Sequence, residues 1–278
     1  VVATPIGNLE DISSRALDSL ARADAIAAED TRVTARLLAH HRLQGRLVAV
    51  HEHNERRAAD WIVEELAQGR NIALVTDAGT PAVSDPGATV VAKARAAGFR
   101  VVPIPGPNAA VTALSAAGIA DGPFLFMGFL PAKAGARRKA LEGLSALPYT
   151  LVFYEAPHRV VESVEDMAVS LGAERTVVIA RELTKLFEQL HQCRLGEAAA
   201  WLRADPDHQR GEFVLIAEGA AVGDKGAKSD WERVLATLLA ELPLAHSVKL
   251  ACKLTGAKKK TVYARALELA REIQPRRA

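Results

Sequence analysis

The sequence predicts an α/β protein: an N-terminal domain with a parallel sheet, a C-terminal domain with a mixed sheet, and a small helical tail. Three observations lead there. Through the first 118 residues, short apolar runs alternate with longer amphipathic stretches, the pattern of a parallel sheet covered on both faces. Beyond residue 119 there are fewer helices per strand, which calls for antiparallel pairs. From residue 229 the pattern is helical and basic.

In chain order, Val1–Ala3, Ala25–Ala28, Leu47–Val50, Ile72–Thr76 and Val101–Ile104 read as buried strands. Arg15–Arg22, Thr31–Ala39, Arg56–Gln68, Ala88–Ala97 and Ala109–Ala117 read as helices, with Ser13 or Ser14 as an N-cap and Gly69 and Gly98 just past two C-termini. The stretch Gly118–Pro148 breaks this rhythm. It carries several Gly and Pro residues and a basic cluster, Lys133, Arg137, Arg138 and Lys139. A domain boundary is therefore placed near Gly118–Pro123. Strands follow at Thr150–Tyr154, Thr176–Arg181, Glu188–Cys193 and Glu212–Ala217, with helices at His158–Ser170 and Glu197–Leu202. A polar linker, Ala220–Ser229, precedes helices at Trp231–Leu239, Ala245–Leu254 and Lys259–Arg271. The expected domains are residues 1–118, 119–221 and 229–278.

Composition bounds the function. Of 278 residues, 49% are hydrophobic and 24% charged, which excludes a disordered chain. The uninterrupted apolar runs are too short to cross a bilayer, and no signal-peptide pattern opens the chain, so no membrane partner is expected. Cys193 and Cys252 lie far apart; they make neither a disulfide framework nor a zinc pair, and a reducing cytoplasm is the expected compartment. The net charge of +2 hides an asymmetry: Lys225–Ala278 holds twelve Lys/Arg and five Asp/Glu, while the first 224 residues carry a balance of −5. A basic tail on an acidic body points to a polyanionic partner. Its last two helices, joined by a short turn at Gly256, have helix-turn-helix spacing, and the second begins with Lys258, Lys259 and Lys260. The same helices also suit packing on a dimer partner.

Four loops after strands carry the chemistry, because ligands of open α/β sheets collect at the strands' C-terminal ends. Thr4–Asp11 contains Pro5 and Gly7 but has neither the triple-glycine dinucleotide fingerprint nor a P-loop. Thr76–Gly87 has two Gly-containing turns and is longer than a plain connection needs; Asp77, at the strand end, suits a ribose or an amine. Ile104–Ala110 is a rigid Pro-Gly-Pro turn, and Asn108 there caps the next helix. Tyr154–Arg159 and Ala180–Lys185 set opposite charges beyond buried strands, as an ion pair or a functional site would. His51 and His53 share one strand face without a third ligand, and His-Glu-x-x-His and the serine nucleophile elbow are absent. No metal is expected.

Taken together, Thr4-Pro-Ile-Gly-Asn-Leu-Glu-Asp-Ile, Ala28-Glu-Asp-Thr-Arg32, Asp77-Ala-Gly-Thr-Pro, Ser84-Asp-Pro-Gly, Pro105-Gly-Pro, Gly128-Phe-Leu-Pro131, Tyr154-Glu-Ala-Pro-His-Arg159 and Ala180-Arg-Glu-Leu-Thr-Lys185 resemble, in that order, the ribosomal RNA small-subunit methyltransferase I family of the tetrapyrrole methylase superfamily. The resemblance covers nearly the whole chain. It implies a two-domain tetrapyrrole-methylase-like fold that binds S-adenosylmethionine in the cleft between domains. It also implies a homodimer that methylates the ribose 2′-oxygen of a cytidine in the decoding region of 16S rRNA in the small ribosomal subunit. The cofactor loops then fall on Pro5, Asp77, Gly79, Thr80, Val83, Asn108, Ala109, Tyr154 and Glu212. Asn108 stands where this superfamily commonly has a small hydroxyl residue.

A ribose hydroxyl needs a proton acceptor, and Glu29, Asp30 and Glu155 are the candidate catalytic carboxylates. Arg32, Arg159, Arg181, Lys185, Lys133, Arg137 and Arg138 are the candidate RNA contacts, since guanidinium and ammonium groups match phosphate. A capped helix start explains Glu29–Arg32 equally well. Two other readings stay open: methylation of a corrin precursor, and a nucleic-acid-binding regulator that reads duplex DNA through its tail.

Overall fold

A computed structural model describes residues 1–51, 53–119, 122–221 and 226–273. The first half builds α1 (Ser14–Ala21), β1 (Ala25–Ala28), α2 (Thr31–His40), β2 (Leu47–Ala49), α3 (Glu55–Ala67), β3 (Ile72–Val75), α4 (Ala88–Ala96) and α5 (Ala109–Ala117). The three strands pair in parallel in the order β2-β1-β3. Side chains alternate across a strand, and both faces are apolar here. Ile26, Ala28, Ala73 and Val75 pack with Ala16 and Leu20 of α1 and Leu37 and Leu38 of α2. Ala27 and Leu74 pack with Ala58, Ala59 and Ile62 of α3 and Val90 of α4.

Val1–Ala3 and Val101–Ile104, read as strands from their sequence, form only an isolated parallel bridge between Val2 and Ile104. Val2 still donates to the Leu74 carbonyl (2.8 Å) and Ile104 to that of Val1 (2.8 Å). Pro103 and Pro105 have no N–H to extend the ladder.

The second half builds β4 (Phe124–Phe129), α6 (Ala134–Leu144), β5 (Thr150–Glu155), α7 (Val160–Leu171), β6 (Thr176–Arg181), β7 (Gln189–Arg194), α8 (Leu195–Ala204) and β8 (Phe213–Ala217). Their sheet runs β4-β5-β8-β6-β7; β4 and β5 are parallel and the other pairs antiparallel. One face, with Val152, Val178, Val214 and Ile216, is covered by Ala110, Ala113 and Ala117 of α5. Thus α5 precedes this sheet in the chain yet supplies part of its core. The sequence reading left Gly118–Pro148 without elements. It holds β4, whose Gly128 sits at a bulge rather than a break, and α6, whose Arg137, Leu141 and Leu144 are buried at helical spacing.

Both sheets belong to one compact unit, Val1–Ser145 with Tyr149–Gly219; the other comprises Ala146–Pro148 and Ala220–Ala278. The second unit holds α9 (Gly226–Glu241), α10 (Leu244–Thr255) and α11 (Lys259–Ile273). Its core is Trp231, Leu235, Val248, Ala251, Val262 and Ala266. Gly256, at φ +69°, closes α10 in the left-handed conformation. Gly223, Asp224 and Lys225 of the expected linker lie outside the described residues. No helix among the described residues is long and apolar enough to cross a membrane.

Arg137 is only 1% exposed. Its Nε donates to Asp166 Oδ2 (2.6 Å), and its remaining nitrogens reach Glu162 (3.3 Å) and the Ala132 carbonyl (3.3 Å). Removing the partner of a buried charge costs about 3–5 kcal/mol. Asp166→Ala is therefore expected to destabilise the fold by about that much, read as a lowered urea midpoint with an unchanged slope.

Candidate active site

The loops at the C-terminal edges of the two sheets meet around a cavity of about 360 Å³. A reciprocal pair of hydrogen bonds sets its floor: Thr4 N–H to Gly79 O (2.9 Å) and Gly79 N–H to Thr4 O (3.0 Å). Thr4 Oγ1 also donates to the Thr76 carbonyl (3.1 Å), and Thr80 Oγ1 to that of Pro107 (3.1 Å). Gly106 passes so close to Ala3 that a Cβ would come within 2.9 Å of the Ala3 Cβ, so the Pro-Gly-Pro turn needs glycine there. Asn108 caps α5 through Oδ1 (3.2 Å from Val111 N) and lines the cavity with Ala109 and Tyr154. Tyr154 Oη accepts from Ala110 N (3.2 Å).

Of the residues assigned to the cofactor, Gly79, Thr80, Val83, Asn108, Ala109, Tyr154 and Glu212 line this cavity. Pro5 and Asp77 do not. They face a second, smaller cavity of about 230 Å³ beside Val33, Thr34 and Leu37 of α2. The Thr4–Gly79 bridge lies in the chain segments that separate the two.

The sequence reading missed Asp85. Ala82 (φ +67°) and Ser84 (φ +63°) hold left-handed backbone on either side of Val83, a strain of order 1–2 kcal/mol per residue for non-glycine positions. This turn carries the Asp85 carboxyl to the cavity wall. Burial pushes it up to about 6, with the charges of Glu29 and Asp77 adding to the shift. No hydrogen bond reaches it among the described residues. The sequence signal was weak, since Ser-Asp-Pro-Gly also spells an ordinary turn.

The three candidate bases differ sharply. Glu155 is 2% exposed and occupied: it accepts from Ser163 Oγ (2.5 Å), Ala156 N (2.8 Å) and Arg159 (3.2 Å). Asp30 caps α2 through Arg32 N (2.8 Å) and pairs with the Arg32 guanidinium (2.6 Å); those hydrogen bonds hold it at about 2. Glu29 is half-buried and pushed upward, chiefly by burial. It accepts one long hydrogen bond, from Asp77 N (3.4 Å), while Asp77 Oδ1 accepts from Asp30 N (2.9 Å). Glu29 does not line the cavity, but it is close enough for its charge to raise Asp85.

The candidate phosphate contacts divide as sharply. Arg137, Arg159 and Arg181 are turned inward. Arg159 pairs with Glu155 and the Leu130 carbonyl, and Arg181 with Gln189 and the Arg210 carbonyl. Burial and these partners take their guanidinium groups away from a substrate. Lys185 Nζ is held by Glu182 (2.8 Å) and Glu212 (2.9 Å). Arg32, Lys133 and Arg138 remain exposed. His51 and His53 sit past the end of β2 rather than on a strand; Glu52, between them, lies outside the described residues. No group of three or more metal-ligating side chains occurs among the described residues.

Two glycine-containing loops facing a mixed sheet across a largely apolar cavity make a small-molecule site of the kind enzymes use. The family model for Tetrapyrrole (Corrin/Porphyrin) Methylases matches residues 1–199, and one for the RsmI C-terminal HTH domain matches residues 226–270. The chain is 50% identical over 268 residues to a ribosomal RNA small subunit methyltransferase I of Escherichia coli O157:H7, covering 96% of this chain and 94% of that protein. It is 48% identical over 270 residues to one of Pseudomonas aeruginosa, covering 96% of each. The chain belongs to the ribosomal RNA small subunit methyltransferase I family of the tetrapyrrole methylases. Solved structures share the fold. The methyltransferase CobJ superposes with a TM-score of 0.59 at 20% identity, covering 79% of this chain and 93% of that one. A uroporphyrin-III C-methyltransferase from Thermus thermophilus, complexed with S-adenyl homocysteine, gives 0.55 at 19% identity, covering 78% and 95%.

Asp85 also yields a stability prediction. Its folded pKa lies above the ordinary 3.8, so its contribution to stability is present below that value and is lost as pH rises through about 6. Asp85→Asn, which cannot ionise, should raise the melting temperature of the ligand-free protein at pH 7.5. The gain should shrink at pH 5; equal gains at both pH values would contradict this.

Proposed function

We propose that this protein transfers a methyl group from S-adenosylmethionine to the ribose 2′-oxygen of a cytidine in the decoding region of 16S rRNA. We further propose that it does so in the cytoplasm, as a homodimer acting on the small ribosomal subunit. The carrying observation is Asp85, a half-buried carboxylate that receives no hydrogen bond among the described residues, facing a cavity made largely of backbone and apolar groups. Such a group calls for a cation, and the residues present fit a cationic nucleoside. Bound S-adenosylmethionine supplies a methyl group on a sulfonium centre.

The chain's own groups do the rest. Asp85 would face the positive charge of the bound nucleoside, and Gly79, Thr80 and Ala109, which line the same cavity, would hold it from the other loops. Alignment of acceptor and donor provides much of the rate. Of the three candidate bases, Glu29 has the raised pKa and the spare oxygen that proton acceptance requires. Asp30 is held too acidic by Arg32, and Glu155 is saturated. The tail favours RNA over a tetrapyrrole. Lys258, Lys259 and Lys260 are exposed at the start of α11, where the helix dipole is also positive.

The direct test incubates the enzyme with methyl-labelled S-adenosylmethionine and small ribosomal subunits, free rRNA, a tetrapyrrole or DNA. Label is expected on the rRNA cytidine ribose, and label on the tetrapyrrole would refute the reading. Glu29→Gln should lower single-turnover methylation about 10²–10⁴-fold with cofactor affinity intact, whereas Asp85→Asn should weaken cofactor binding in calorimetry. Replacing Lys258, Lys259 and Lys260 by Gln should reduce the slope of log K for RNA against log salt by about 2, as three lost single-strand phosphate contacts require. An unchanged slope would remove the tail from the RNA interface.

A further inference from the structure

Phe129 is 55% exposed although it lines the same cavity as Asp85. A bare phenyl ring on a concave surface forgoes the gain from burial. Its position is built with care. Phe126 pairs with Val152 and Gly128 with Phe153, so Met127 is the extra residue of a β-bulge, a device that re-aims the side chains after it. Gly128 has φ +67°, and a Cβ there would come within 2.7 Å of Ser84 Oγ. Only glycine lets β4 press against the turn that carries Asp85, and this sets Phe129 beside that wall. Tyr154 meets the Phe129 ring edge to face, with centroids 5.7 Å apart and planes at 67°; Tyr154 is itself fixed by the Ala110 amide. Further along the chain, Lys133 and, on α6, Lys139 are exposed.

An exposed aromatic platform is how single-stranded nucleic acid is held: bases stack on it while cationic groups track the phosphates. Enzymes that act on one nucleotide within a structured nucleic acid commonly turn it out of its stack and receive its base on such a surface. We propose that Phe129 is the platform on which the base of the methyl-accepting nucleotide stacks. This rests on the reading of the protein as an RNA methyltransferase and adds the side chain that receives the base. The ring has two competing occupants, the cofactor's adenine and its sulfonium centre, and the test separates them.

The experiment uses an RNA carrying a fluorescent cytosine analogue at the acceptor position, with the full-length enzyme. Binding to the wild-type protein should quench the analogue. Phe129→Ala should abolish the quenching and raise the KM for RNA about tenfold or more, with cofactor affinity unchanged. Phe129→Leu, which keeps apolar bulk for folding, should also fail to quench, and Phe129→Tyr should restore both readouts. If Phe129→Ala instead weakens cofactor binding and leaves quenching and KM intact, the ring serves the cofactor and the proposal is overturned. Methyl transfer by the wild type to an unlabelled copy of this RNA reports on the parent reading separately. Transfer with wild-type quenching in Phe129→Ala overturns the stacking alone, and no transfer overturns both.

Discussion

The site depends on the two hydrogen bonds that join Thr4 to Gly79. They are ordinary bonds, each worth about 1 kcal/mol net, but their placement matters more than their strength. They tie the first loop of the chain to the loop after β3, and Thr80 passes the connection on to the Pro-Gly-Pro turn at Pro107. Three loops that sequence separates by about 25 to 75 residues thereby become one rigid edge. The cavity, the approach of Gly106 to Ala3 and the position of Asp85 all follow from that edge. Asn8 extends it further by donating to Thr184 on the opposite loop (3.1 Å).

Strain collects where this edge is built. Among the described residues, four of the five non-glycine residues with left-handed backbone are Ala82, Ser84, Glu182 and Thr184. The first pair flanks the turn carrying Asp85, and the second frames the loop of Lys185. Such conformations persist when the surroundings over-determine them. The first pair is braced by Ala82 N–H to Pro86 O (3.1 Å) and the second by Glu188 accepting from Thr184 N (2.6 Å). The half-buried carboxyl of Asp85 adds electrostatic cost to conformational cost. A folded chain that keeps both at one cavity is organised around a ligand rather than around maximal stability.

Much of the fold was legible where strands such as β1, β6 and β8 are buried on both faces. Ala25–Ala28, an uninterrupted apolar run, and Thr176–Arg181, with an apolar centre at Val177–Ala180, match β1 and β6 to the residue. The element lost in sequence was β4, where Gly128 reads as a breaker; a bulge looks like a turn until its partner strand is known. α6 was lost beneath its charges, although Arg137, Leu141 and Leu144 keep helical spacing. The site was legible at glycine and proline, whose backbone demands are local. It was illegible at charge. Whether an arginine greets a phosphate or closes on a carboxylate depends on partners such as Asp166, 29 positions from Arg137. Asp85 drew no attention for the opposite reason, since its significance lies in having no partner among the described residues.

The course of α5 has a consequence for how such a protein can be divided. The helix belongs by sequence to the first half, yet its alanines complete the apolar face of the second sheet. A cut at the Gly118–Pro123 boundary would leave Val152, Val178 and Val214 bare on one fragment and a helix without a floor on the other. The halves are thus interlocked by a borrowed part. Neither half keeps its own packing once α5 is parted from the second sheet.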